Sequence, residues 1–365
     1  MNCCVISNAM NALNELRWRW LRYAFSLTIP LSAAASFVLE GAWAFFAIGY
    51  AFVVLPMLEL VLKPEGKNLS ADAAEAVKAD VRFDAWLWSM VAIQWGLLIW
   101  FWVMMAAAEP TGATWWGRVT AMGLLCGVLG INVAHELGHR PQRSASLGSY
   151  ALLVTSLYTH FQVEHNRGHH RNVATDEDPA TARRGEWVWF FWVKSLWGGW
   201  WHAWQLEGER LRRAGKPFWS FENEVLRWQV IQWGALVAVG TVFGWGVAVA
   251  WAVAAVLGGL LLETVNYIEH YGLSRSRVSA HRYERVRSVH SWNSNHPLGR
   301  VVLFELSRHS DHHAAPAKPY PQLDHLPDAP QLPTGYPGMM VLSWLPPLYF
   351  AVVHPRLRRL EGKAG

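Results

Sequence analysis

Long apolar stretches almost free of charge constrain this chain more than any other feature. A helix crossing a bilayer needs about 20 predominantly apolar residues, because 1.5 Å per residue must cover roughly 30 Å of hydrocarbon. Residues 23–39 carry no charge, 42–62 carry only Glu59, 85–108 carry none, and 115–134 carry only Arg118, placed to snorkel outward. Farther on, 230–262 is uncharged, and its helical pattern runs on toward Glu269. About forty residues at about 1.5 Å make about 60 Å, or two crossings, with a hairpin at 244–246 dividing them. The chain therefore reads as an all-α integral membrane protein with six transmembrane helices, near 23–39, 42–62, 85–108, 115–134, 228–245 and 248–269.

Charged residues make up only 16% of the chain, against about 25% for an ordinary soluble one, and there are 24 tryptophans. These values exclude disorder, a coiled coil and a nucleic-acid arm, so no nucleic-acid partner is expected. Mean hydropathy is only +0.10, so a large polar part must sit beside the apolar one. Three cysteines, Cys3, Cys4 and Cys126, make neither a disulfide framework nor a four-thiolate site, so any iron–sulfur electron donor is a separate protein.

Loop charges set the expected topology. The loop at 62–85 holds Lys63, Lys67, Lys78 and Arg82, whereas the turns at 40–41 and 107–114 hold no Lys or Arg. The N-terminus, and with it the ends of spans four and six, is expected on the cytoplasmic side. Residues 187–204 carry seven tryptophans around Lys194 and His202, a pattern for a helix lying along the headgroups rather than crossing. Residues 147–161 are too short to cross, and 1–16 lack the basic start of a secretory signal. The whole chain, 1–365, is expected to form one domain. Its polar part would be a cytoplasmic histidine-rich cap made of 135–227 and 270–365.

Half of the 16 histidines fall in three clusters. His135-Glu-Leu-Gly-His139 places two imidazoles on one helical face, so both can reach one metal. Taken alone it is also the zinc-protease pattern, with Glu136 as general base. Glu164-His165-Asn-Arg-Gly-His169-His170 and Arg308-His309-Ser-Asp-His312-His313 each combine a step of three or four with an adjacent pair, so ligands can face a metal and its neighbour. Any one cluster can be an ordinary set of interfacial histidines, but three in one chain are not accidental. His270 is a ninth candidate at the end of span six, with Glu263 and Asn266 on the same helical face. Eight or nine imidazoles exceed one tetrahedral zinc and suit two metals with four or five nitrogens each. Glu136, Glu164, Glu263, Glu269 and Asp311 are candidates to orient ligands or offset charge. For each of them an ordinary cap or ion pair is the competing reading.

At these residues the chain resembles the membrane alkane hydroxylases, the non-haem di-iron alkane 1-monooxygenases of the membrane fatty-acid desaturase/hydroxylase superfamily. The resemblance covers roughly 20–355 and rests on His135-Glu-Leu-Gly-His139, on the run from Glu164 to Ala180, on Asn266-Tyr-Ile-Glu-His-Tyr-Gly-Leu273 and on the run from Arg308 to Tyr320. His290-Ser-Trp-Asn-Ser-Asn-His296 also matches. It implies two iron ions held by His135, His139, His165, His169, His170, His270, His309, His312 and His313. It further implies O2-dependent terminal hydroxylation of medium-chain linear alkanes to 1-alcohols in a bacterial inner membrane. The implied electron source is rubredoxin, as a separate chain served by an NADH-dependent reductase.

Because the bare histidine pattern is shared, a fatty-acid desaturase and a xylene-type aryl-methyl hydroxylase remain as alternatives. An intramembrane zinc protease would leave at least six other histidines idle, and a metal transporter would scatter its ligands along a pore. Aromatic residues such as Tyr50, Phe52, Trp88 and Trp95 are candidates to limit alkane length, though plain packing explains them as well.

Overall fold

The computed structural model describes residues 18–108, 110–280 and 282–364. The expectations for 1–16, Cys3 and Cys4 among them, fall outside the described residues.

Among the described residues six helices are long and apolar enough to cross a membrane: Arg19–Val38, Gly41–Val61, Val81–Ala107, Gly112–Gly138, Glu224–Phe243 and Trp245–His270. They correspond to the six expected spans, but several run up to four residues farther at one end. The physical reason lies in the charges met there. A hydropathy criterion stops at the first ionisable residue, whereas the helix continues where a tertiary partner offsets the charge. Arg22 extends the first span and pairs with Glu305. Asp84 in the third span and Glu136 in the fourth share Arg140, at 2.8 and 2.9 Å. The expected hairpin falls at Gly244, whose φ of +97° is open to glycine and strained for any other residue.

Arg118 departs from expectation. It is only 4% exposed and does not reach outward, because the second span packs over it. A Cβ on its neighbour Gly117 would come within 2.4 Å of Ala44 Cβ, which shows how closely the two backbones approach.

The fourth span is the axis of the bundle, with 89% of its apolar window buried against 28–50% for the other five. Its closest partner is the sixth. A Cβ on Gly258 would lie 2.5 Å from Cys126 Cβ, so glycine is required where the two helices touch. That contact brings the ends bearing His135, His139 and His270 together.

The polar segments pack against one end of all six spans. Glu305 accepts from Arg22 and Tyr23 of the first, and the Glu59 carboxylate of the second accepts from Gly299 N at 2.7 Å. Tyr320 donates its hydroxyl to Phe83 O of the third span and its N–H to Glu136 of the fourth. The fifth span docks through Glu224 N, which donates to Glu207 at 2.7 Å. At the other end Gly41 N donates to Thr114 Oγ1, and Pro110, Trp115 and Phe243 meet around one cleft.

Two further helices matter for the site. Arg143–Thr155 is 13 residues, too short to cross. Val188–Arg213 buries Phe191, Ser195 and Leu211, while Phe190, Val193, Trp197 and Trp201 form an exposed stripe at steps of three and four. A two-stranded ribbon, Arg277–Ser279 with Arg282–Tyr283, is a small departure from the all-helical expectation.

Candidate metal centre

His135 and His139 occupy the last turn of the fourth span and its cap, and His270 is the last residue of the sixth. The second cluster folds in a way its spacing does not announce. His165–His169 is a π-helical turn in which the His170 N–H bonds back to the His165 carbonyl, five residues away. Residues five apart then share a face, which an ordinary α-helix does not allow. His170 Nε2 stands 3.0 Å from His165 Nε2, and His169 turns the other way. In the third cluster, on His309–Ala314, His309 and His313 pair at 2.9 Å in normal α-helical spacing. His312 faces the opposite side, 3.0 Å from His135.

The nine imidazoles thereby sort into two groups. Nitrogens of His135, His139, His165, His170 and His312 lie within 4.8 Å of one another, and so do those of His169, His270, His309 and His313. Nitrogens about 2.1 Å from one ion stand about 3.0 Å apart at right angles and about 4.2 Å apart across it. Neighbouring Nε2 atoms here are 2.9–3.2 Å apart, which fits that requirement. His169 Nε2 is fully buried with no hydrogen-bond partner among the described residues and belongs to the four-nitrogen group. A buried ring nitrogen without a partner is costly unless an ion completes it.

The protonation state also suits metal binding, which needs neutral imidazole. Burial, then the charge of His169, holds His139 down at about 4. Burial likewise places His165, His170, His309, His312 and His313 well below the usual value. His169 is the exception. Burial opposes its charge, but the Asp178 carboxylate, 2.9 Å from Nδ1, holds it up at about 9.

The candidate acidic residues have different surroundings. Glu269 reaches the four-nitrogen group, with Oε2 3.1 Å from His309 Nε2 and Oε1 accepting from Tyr336 OH at 2.8 Å. Glu136 turns to Arg140 and Tyr320 N, and Asp311 to Lys318 Nζ at 2.6 Å. Glu263 accepts from Tyr158, Ser195 and Asn266, while Glu164 faces His202. Glu136, the general base a zinc protease would use, is paired with Arg140, and His135 and His139 share their group with three further histidines. Both groups sit at one end of the bundle, which does not fit a transport pore.

Asp178 escaped the sequence reading. It lies nine residues after His169, and the only signal was its place in the acidic run Asp176-Glu177-Asp178-Pro179. Tyr336 and Glu305 were also invisible. Glu305 holds Tyr23, Arg22 and Arg300, and it and Phe304 adopt positive φ of 61° and 50°. Such backbone strain persists only where surroundings over-determine it, and here it aims the segment leading to His309.

Beneath the clusters, an apolar cavity runs among the first, second, fourth and sixth spans. Ile29, Phe52, Leu124 and Val265 line it, with Asn132 as its only polar wall residue. Asn132 is one turn before His135, and its amide is occupied by Leu303 O and Val128 O. Of the four aromatic candidates for limiting chain length, Phe52 lines this cavity; Tyr50, Trp88 and Trp95 do not.

A family model of fatty acid desaturases matches residues 113–343. The chain is 37% identical over 345 residues to alkane 1-monooxygenase 1 of Pseudomonas aeruginosa, covering 93% of this chain and 90% of that protein. Alkane 1-monooxygenase 2 of the same organism is 38% identical over 349 residues, covering 93% and 91%. More distantly, the xylene/toluene monooxygenase hydroxylase component of Pseudomonas putida is 26% identical over 344 residues, covering 93% and 89%.

Proposed function

The chain belongs to the fatty acid desaturase family as an alkane 1-monooxygenase, and on that premise we propose that it converts medium-chain linear alkanes to 1-alcohols at a histidine-held pair of irons. The balance is R–CH3 + O2 + 2 electrons + 2 protons giving R–CH2OH + H2O. The observation that carries this reading is the pair of nitrogen clusters, with a small cavity walled almost wholly by hydrocarbon ending at Asn132, one turn of the fourth span before His135.

A terminal C–H bond offers nothing for a side-chain acid, base or nucleophile to attack. The irons, when bound, supply the oxidising chemistry. The chain supplies the rest. His135, His139, His165, His170 and His312 would hold one ion, and His169, His270, His309 and His313 the other. Asp178 fixes the orientation of His169 by accepting from Nδ1, which leaves Nε2 for the ion. Walls such as Ile29, Leu124 and Val265 hold an alkane with one end toward the clusters and exclude water from it. A substrate as apolar as lipid reaches such walls from the bilayer.

We place the histidine-bearing end on the cytoplasmic side of a bacterial inner membrane, because Lys63, Lys67, Lys78 and Arg82 lie in the loop at that end. Electrons would come from a separate rubredoxin and its NADH-dependent reductase.

The test is a purified-protein iron assay coupled to gas chromatography, with rubredoxin, reductase, O2 and n-alkanes of graded length. Two irons per chain and 1-alkanols as products are expected. One zinc and no iron, or desaturated or arylmethyl products with no 1-alkanol, would overturn the assignment.

A further inference from the structure

Two cavities lie against different faces of the sixth span, and their chemistry differs. The first, described above, is apolar. The second lies between the fifth and sixth spans and the helix Val188–Arg213, with a volume of about 530 Å3, well within the range of small-molecule sites. Leu196, Trp197, Trp233 and Val256 give it apolar walls, but His160, Gln229 and Gln232 line it too. These polar groups gather around one point. Gln232 accepts from Thr159 N and Oγ1, and Gln229 donates to Thr159 Oγ1.

Tyr158 and His160 line both this cleft and a small inner chamber. The chamber touches His165 of the five-nitrogen group and His169 of the four-nitrogen group. Tyr158 is held by its hydroxyl bond to Glu263 at 2.8 Å. His160 is only 6% exposed; its ring packs edge-on against Tyr158 at 4.4 Å, and among the described residues no hydrogen bond to its ring nitrogens is seen. Burial pushes it down to about 3, so the ring is neutral and offers one donor and one acceptor.

Substrate and product of an alkane hydroxylase differ by one hydroxyl. An alkane loses nothing in a purely apolar cavity, but a hydroxyl left there without a partner is penalised. The second cleft offers a hydroxyl what the first lacks: Gln229 and Gln232 are taken up by Thr159, each other and Trp233, and the His160 imidazole is left to pair with it. We propose that this second cleft binds the primary alcohol product on its way to the bilayer, with the hydroxyl at His160 and the chain along Trp197 and Val256. The inference rests on the hydroxylase reading above. It makes His160 a product-binding residue and separates alkane binding from alcohol release.

The experiment uses the full chain in lipid nanodiscs, with and without iron, and two photolabels: diazirine-tagged decane and diazirine-tagged 1-decanol. The alkanol should mark peptides containing Trp197 and Val256, and the alkane those containing Leu124 and Met340. His160→Leu should lower alkanol labelling about tenfold, the loss of one hydrogen bond, and weaken inhibition by added 1-decanol to the same degree. The KM for decane should stay unchanged. Val256→Trp, at a site 57% exposed, fills the cleft without touching the core and should block alkanol labelling alone.

Equal labelling of the cleft by both probes would mean that it holds any acyl chain, lipid included, and would overturn the proposal. So would alkanol labelling confined to the first cavity, or inhibition unmoved by both substitutions. The labelling arm needs no turnover. Selective alkanol labelling of a chain that makes no alkanol would leave the binding site standing and sink the hydroxylase reading instead.

Discussion

The five-nitrogen group of His135, His139, His165, His170 and His312 and the four-nitrogen group of His169, His270, His309 and His313 use the same side chain, but only the second has carboxylates against its rings. Asp178 lies 2.9 Å from His169 Nδ1 and Glu269 3.1 Å from His309 Nε2. The nearest acids on the other side are spent elsewhere, Glu136 on Arg140 and Glu164 on His202. Burial differs as well, since His139 and His170 are half-buried while all four of the smaller group are buried. Neutral imidazoles would leave the charge of a divalent ion uncompensated. On the proposed reading, two carboxylates would offset it at the smaller group, and the larger would have only an extra nitrogen. The proposal therefore trades ligand number against charge compensation between the two groups.

The strongest way to break this comparison is to remove a ligand from one side only. His270→Ala should lose the ion of the four-nitrogen group and abolish turnover, read as iron per chain falling from two toward one. Two irons with full octane oxidation would place His270 outside the centre.

Next in size is Asp178→Asn, which keeps the shape and removes the charge. Metal affinity should fall about 10–100-fold at the four-nitrogen group and little at the other, measured by chelator competition. An equal loss at both would mean that the two sites do not differ as argued. Glu269→Gln should act in the same direction, toward the lower end of that range. Glu263→Gln should leave a folded, slower enzyme, because Glu263 fixes Tyr158 and Asn266 rather than an imidazole. Unchanged kinetics would remove that role.

The smallest effect concerns acid. Burial pushes His160 in the folded chain down to about 3, below the ordinary histidine value of 6.5. The unfolded chain therefore takes up the proton first, and this contribution to stability is complete above about 6.5 and lost as pH falls toward 3. In thermal unfolding of the metal-free chain, His160→Leu should flatten the decline between those values, and an unaltered profile would contradict it.

Much of the fold was legible because its signals are local. Uncharged runs of about 20 residues and the glycine at 244 are each readable within one segment. The span ends were misjudged at Arg22, Asp84 and Glu136 because their partners, Glu305 and Arg140, are remote or reach across helices. Arg118 was misjudged for a similar reason. Hydropathy sees a cation near a helix end, not the second span packed over it.

By itself the sequence determined six apolar runs and three histidine clusters, with periodicity putting His135 and His139 on one face and parity putting His270 on the same side; that nine imidazoles gather was implied by the resemblance. Only the tertiary structure decided how the nine divide. A π-helical turn at His165–His169 sends His170 to one group and His169 to the other, and residue spacing does not encode that choice. Asp178, Glu269 and the two cavities were likewise decided in three dimensions. Their meaning depends on which distant backbone comes close, and close packing of the fourth and sixth spans at Cys126 and Gly258 sets that distance.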